Sequence, residues 1–114
     1  RAIAICTGSG IGASLSIPMQ NPNVFLIWIA SDMENTFGPT LQELIEKTIP
    51  SERRIVFDTK KAGRRPNVVQ LLKDVFHAYG AEIVFITSNP RGTVELMRIC
   101  RENNMPCLGP IFDS

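Results

Sequence analysis

The run Val24-Phe25-Leu26-Ile27-Trp28-Ile29-Ala30 contains no polar residue. A strand with one wet face alternates apolar and polar side chains, so a strand apolar throughout is one covered on both faces. That condition points to an open parallel sheet between two layers of helices. The rest of the chain follows the same plan, with apolar strand-like runs alternating with helix-period segments. Strands are predicted over Ala2–Cys6, Val24–Ala30, Arg54–Thr59, Glu82–Thr87 and Pro106–Phe112. Helices are predicted over Ala13–Ile17, Pro39–Thr48, Asn67–Tyr79 and Thr93–Asn103, the first ended by Pro18 and the Gln20-Asn21-Pro22-Asn23 cluster. Pro39 suits a first helical turn and Gly80 a C-cap. Right-handed crossovers then give a three-layer α/β/α, Rossmann-like domain with a five-stranded parallel sheet in the order 3-2-1-4-5.

The 114 residues, 44% of them hydrophobic, suffice for one core, and residues 1–114 read as a single domain. A net charge of +1 creates no global field to recruit nucleic acid, so no nucleic-acid partner is expected. No apolar run approaches the roughly 20 residues of a bilayer span, so no membrane insertion by this domain is expected. The chain opens on Arg1 and enters a strand at once, as expected of a module from a longer, multidomain protein. Cys6, Cys100 and Cys107 lack metal-ligand spacing and read as reduced structural thiols; no metal site is predicted. His77, the single histidine, sits inside a helix and reads as structural.

The two ends of the predicted sheet differ. Segments entering the strands are plain punctuation, such as Asn21-Pro22-Asn23 and Gly80-Ala81. Segments leaving them carry the distinctive chemistry: Thr7 to Gly12, Ser31-Asp32, Asp58 to Arg65, Thr87 to Gly92, and Gly109 to Ser114. A ligand of such a sheet binds at that rim, where the strand order reverses. Thr7-Gly8-Ser9-Gly10-Ile11-Gly12 joins a strand to a helix start, the setting in which glycines let the backbone approach a phosphate. Lys60, Lys61, Arg64 and Arg65 form a basic loop suited to adenine-nucleotide phosphates, with Lys60 and Arg64 the candidates. Asp32 and Asp58, at strand ends, are candidate acceptors for ribose hydroxyls, which favours NAD where the basic loop favours NADP. Ser88-Asn89-Pro90 caps the last helix and also faces the rim.

Three motifs make the chain resemble the NAD(P)-binding half of the ferredoxin–NADP reductase superfamily, of the NADPH oxidase and cytochrome b5 reductase type. Thr7-Gly8-Ser9-Gly10-Ile11-Gly12 is similar to its Thr-Gly-x-Gly-Ile turn. Gly63-Arg64-Arg65-Pro66-Asn67 resembles a Gly-Arg-Pro-Asn segment, and Gly109-Pro110-Ile111-Phe112 resembles a terminal strand whose aromatic covers the flavin. The Ser-Asn-Pro-Arg-Gly turn and Phe-Asp-Ser ending look most like the reductase-like module of large adenylate-forming membrane proteins of fungi and plants. The resemblance implies NADP or NAD as cofactor and FAD at the interface with a flavin-binding domain of the same polypeptide. It implies a cytoplasmic-side location, with a membrane tether through the parent protein. Gly8, Ser9, Gly10 and Gly12, with Ile11, would cradle the pyrophosphate. Thr7 and Ser88 would flank the nicotinamide, and Phe112 would shield the flavin or exchange with the nicotinamide. Ser31, Asn89 and Pro90 are further candidates for the cofactor site.

The sequence departs from that pattern in carrying Ala13 where the family has proline, and Ser88-Asn89-Pro90 where it has Cys-Gly-Pro. The flavin-binding barrel with its Arg-x-Tyr-Ser/Thr signature is also not in this chain, so no redox turnover is expected of it alone. The leading reading is therefore an NAD(P)H-binding module of a flavin-dependent oxidoreductase. Two alternatives stay open: a Rossmann-type dehydrogenase fragment, with Gly8-Ser9-Gly10-Ile11-Gly12-Ala13 read as GxGxxA, and a degenerate nucleotide-sensing or docking domain.

Overall fold

The structure, a computed structural model, describes residues 1–8 and 11–109, with residues 13 and 14 described by their backbone alone. The elements in chain order are β1 (Ala2–Thr7), α1 (Ile11–Ser14), α2 (Ser16–Gln20), β2 (Val24–Ala30), α3 (Met33–Phe37), α4 (Pro39–Thr48), β3 (Arg54–Asp58), α5 (Thr59–Ala62), α6 (Val68–Tyr79), β4 (Ile83–Thr87), α7 (Pro90–Glu102) and β5 (Cys107–Leu108). All strand pairs are parallel and the sheet order is β3-β2-β1-β4-β5, as expected from the sequence. The order reverses between β1 and β4.

Alternation along the strands divides the core between two faces. Ile3, Ile5, Phe25, Ile27, Ile29, Val84 and Ile86 meet Leu72 and Val75 of α6 and Leu96, Ile99 and Cys100 of α7. Cys6, Leu26, Trp28 and Ala30 face the other way, against Ile11, Leu15, Met33, Ile45 and Ile49. Every residue of β2 is buried, which is why that run contains no polar side chain.

Local chemistry corrects several expected boundaries. Pro18 does not end the first helical segment. It lies in the first turn of α2, where its missing N–H has no intrahelical partner to lose, and the chain stays helical through Leu15 (φ −65°, ψ −33°). Two short helices, α3 and α5, lie where the sequence reading places no helix, and α5 takes in Thr59 from the expected third strand and part of the expected basic loop. The last helix starts at Pro90 rather than Thr93, because Asn89 is its N-cap: the Asn89 side chain accepts from Gly92 N–H at 2.7 Å. Pro106 and Gly109 lie outside β5, and the rest of the expected fifth strand, Pro110 to Phe112, lies outside the described residues. Gly109 is pressed onto β4, where an added Cβ would stand 2.8 Å from the Ile86 carbonyl oxygen. Gly80 closes α6 at φ +70°, a backbone setting that favours glycine.

The bottom of the sheet, where strands begin, is held by Arg53. Its guanidinium donates to the carbonyls of Pro18, Asn21 and Val24 at 3.3, 3.2 and 2.9 Å. Arg54 likewise donates to the Ile49 carbonyl at the end of α4.

Candidate functional site

The central strands β1 and β4 end side by side, in register through Cys6 and Thr87. The next residues, Thr7 and Ser88, bring their hydroxyls to 2.5 Å of each other. Ser88 is buried and Thr7 half-buried. One hydroxyl donates to the other, which leaves the pair with one proton and several lone pairs to offer a ligand. Thr93 of α7 donates its hydroxyl to the Ser88 carbonyl at 3.2 Å, fixing the backbone there.

Gly8 follows Thr7 at φ +60°, and a Cβ added to it would meet nothing within 4 Å. The space beside this backbone is therefore open. The turn is held from beneath by Trp28, whose indole N–H donates to the Gly8 carbonyl at 3.0 Å. Trp28 is fully buried on the neighbouring strand and packs edge-on against Phe37 at 5.1 Å between ring centroids. The sequence gives Trp28 only as core; its hold on the turn depends on the strand register. Ser9 and Gly10 lie outside the described residues. Ile11 is buried in the core, and Gly12 is exposed with open space where a Cβ would stand.

These groups open into a cleft of about 950 Å³ at the carboxyl ends of the strands. Thr7, Gly8 and Ser88 lie in it, with Ser31 after β2, Asn67 before α6, and Asn89 at the head of α7. Among the described residues its cations are Arg65 and Arg91. Neither guanidinium has a protein partner among the described residues.

The basic loop is thus split by the fold. Lys60 and Arg64 stand away from the cleft lining. The Lys60 ammonium pairs with Asp32 at 3.3 Å, and the Arg64 guanidinium lies over the Phe57 ring at 5.2 Å. Four clustered cations in a sequence do not say which one turns inward; the short helix α5 and the αL turn at Gly63 decide that. Arg91 lies in the Thr87 to Gly92 segment that the sequence places at the rim, but the expected helix start at Thr93 left it in a loop and did not single it out; the helix starts at Pro90 and carries Arg91 in its first turn.

Asp58 is engaged by backbone. Its Oδ1 accepts from the N–H groups of Asp32, Lys60 and Lys61 at 2.9, 3.0 and 3.3 Å, and its Oδ2 from Met33 N–H at 3.0 Å. Burial pushes the Asp58 carboxyl up, but these four donors outweigh it and hold it below the usual carboxylate range. The carboxylate therefore ties the start of α3 to the start of α5. Asp32 takes the αL conformation (φ 54°) and also accepts from Asn35 at 3.1 Å. Neither acid lines the cleft, nor does Pro90. Phe112 lies outside the described residues.

Among the described residues no cluster of three or more histidine, cysteine or acidic side chains could hold a metal. None of the cysteines forms a disulfide; Cys6 and Cys100 are buried and Cys107 half-buried. Burial, then the neighbouring Cys107, pushes the Cys100 thiol up to about 12. No helix of the described residues is long and apolar enough to cross a membrane.

Residues 1–114 match the family model described as "Adenylate-forming reductase 03009, C-terminal domain". The chain belongs to this family of adenylate-forming reductase C-terminal domains. It is similar to adenylate-forming reductase 06235 of Coprinopsis cinerea, with 32% identity over 120 residues. That alignment covers 100% of the chain and 11% of the relative, so the chain spans about a tenth of the length of the curated protein it matches. By family the chain is of the adenylate-forming reductase C-terminal domain type. Its fold is shared with the crystal structure of the C-terminal domain of a hydrogenase from Pyrococcus furiosus. The TM-score is 0.63 at 18% identity, covering 94% of this chain and 88% of that one.

Proposed function

We propose that the cleft binds NADP(H) or NAD(H) and presents the nicotinamide to a flavin held by a neighbouring domain of the same polypeptide. The observation that carries this reading is the convergence, in one cleft, of the open Gly8 turn, the Thr7–Ser88 hydroxyl pair and two guanidinium groups that have no protein partner among the described residues. Each fits one part of a dinucleotide. The exposed backbone at Gly8 suits the pyrophosphate. The hydroxyl pair can both donate to and accept from the carboxamide of nicotinamide. Arg65 and Arg91 suit the phosphates on the adenosine side, where a guanidinium can bind two oxygens at once. The flavin supplies the redox chemistry when its domain is present, and this chain binds and orients the nucleotide.

Calorimetric titration of the chain with NADP⁺, NAD⁺ and 2′,5′-ADP tests the reading. Arg65→Ala and Arg91→Ala are each expected to weaken 2′,5′-ADP about tenfold or more, the range of one charge-assisted hydrogen bond. Lys60→Ala should change little, because Lys60 is already paired with Asp32. Absence of binding to all three ligands refutes the reading for this chain. A sensing role without hydride transfer is favoured by one observation, the hydroxyl of Ser88 where the resembled reductases carry a thiol. Turnover in the intact parent after Ser88→Cys separates the two.

A further inference from the structure

We infer that Gly92 is a positioning residue for the nicotinamide end of the cleft; this rests on the dinucleotide reading above and adds a residue to its site. The argument starts from space. A Cβ built on Gly92 would stand 2.2 Å from the Ser88 hydroxyl oxygen, 3.2 Å from the Asn89 amide oxygen and 3.3 Å from the Ser88 Cβ. The first distance is far inside van der Waals contact, and the other two are tight. The Ser88 hydroxyl therefore occupies the volume that any other residue at position 92 would fill.

Gly92 does not need glycine for its backbone, which has ordinary helical geometry in the first turn of α7. A glycine there weakens the helix relative to alanine. What it provides is a slot. Seated in that slot, the Ser88 hydroxyl reaches Thr7 across the β1–β4 boundary at 2.5 Å. The Ser88 backbone cannot move aside, because Thr93 holds its carbonyl and Asn89 caps the helix through Gly92 N–H. The remaining freedom is rotation of the serine side chain. An added methyl at position 92 turns the hydroxyl out of the slot, breaks its bond to Thr7 and places it wrongly for a carboxamide. Gly92 lines the cleft beside Ser88, and the effect of a side chain there is exerted on the Ser88 hydroxyl, at the nicotinamide end.

The test is a double-mutant cycle on the 114-residue chain, read with NADPH and with 2′,5′-ADP, which lacks the nicotinamide. Gly92→Ala is expected to weaken NADPH about fivefold, the equivalent of one neutral hydrogen bond. It should leave 2′,5′-ADP unchanged. In a Ser88→Ala background, where the clashing oxygen is gone, adding Gly92→Ala should cost NADPH nothing further. Thermal unfolding distinguishes this from general damage, since the gain in helix propensity offsets the lost hydroxyl contact and the melting temperature should hardly move. Unchanged NADPH binding in Gly92→Ala overturns the inference. So does an equal loss for both probes, or a penalty that persists without the Ser88 hydroxyl. If the unmodified chain binds neither probe, the dinucleotide reading itself fails and the inference falls with it.

Discussion

Replacing Trp28 with phenylalanine probes how far the glycine turn depends on the core beneath it. The indole is fully buried, donates to the Gly8 carbonyl at 3.0 Å and packs against Phe37. Phenylalanine keeps an aromatic ring but loses the N–H and two ring carbons. At about 0.8 kcal/mol for each buried methylene-sized group, the carbons contribute about 1.6 kcal/mol. The hydrogen bond contributes about 1 kcal/mol, because the exposed Gly8 carbonyl regains water once its donor is gone. The expected destabilisation is therefore about 2.5 kcal/mol, a fall in melting temperature of about 10 °C for a chain of this length. Thermal unfolding followed by circular dichroism measures it. Phe37→Leu is the control: it removes the edge-on ring contact without touching Gly8. On the dinucleotide reading, Trp28→Phe should weaken NADP⁺ while Phe37→Leu leaves it intact. A Trp28→Phe loss below about 1 kcal/mol would refute the energetic argument. Equal effects of the two variants on NADP⁺ would show that Trp28 acts through packing and not through the turn.

Two further predictions concern ionisation and thiols. The Asp58 carboxyl lies below its ordinary value of 3.8 in the folded chain, so its contribution to stability is complete above that pH and is lost as pH falls through the lowered value. Asp58→Asn should lower the melting temperature at neutral pH, and the gap to the unmodified chain should close below pH 3.8; a gap independent of pH would count against the four backbone donors as its source. A thiol reagent such as dithionitrobenzoate should label Cys107 first in the native state, because Cys6 and Cys100 are buried and the Cys100 thiol is pushed up to about 12. Denaturant should expose all three cysteines, and rapid native labelling of Cys100 would contradict its burial.

The sheet was legible because parallel pairing demands long apolar runs, and β1 and β2 are apolar throughout save Thr7. With those strands placed, crossover handedness leaves little freedom in the order. The short elements were not legible. Five residues of α3 and four of α5 are too few to show helical periodicity, and both depend on Asp58. Part of that was readable: Asp58 accepts from Lys60 and Lys61, two and three residues on, as an N-cap does. Its reach to Asp32 and Met33 was not, because that requires Ala30 and Asp58 to be register partners on adjacent strands. For the candidate site, the rim asymmetry pointed to the end of the sheet where the cleft opens. The inward cations, Arg65 and Arg91, and the fit of Ser88 under Gly92 are set by turn geometry and packing, which residue type alone does not encode.

The carboxylate that caps both α3 and α5 has a mechanical consequence. The segments leaving β2 and β3 share one anchor and are coupled through it. A displacement at Ser31 is felt at Lys60 through Asp58, with the Lys60–Asp32 pair as a second strut. Grafting one of these segments from a relative while leaving the other would mismatch the anchor. On the dinucleotide reading, a change of ligand preference beside Ser31 and Thr59 would have to transplant the two together.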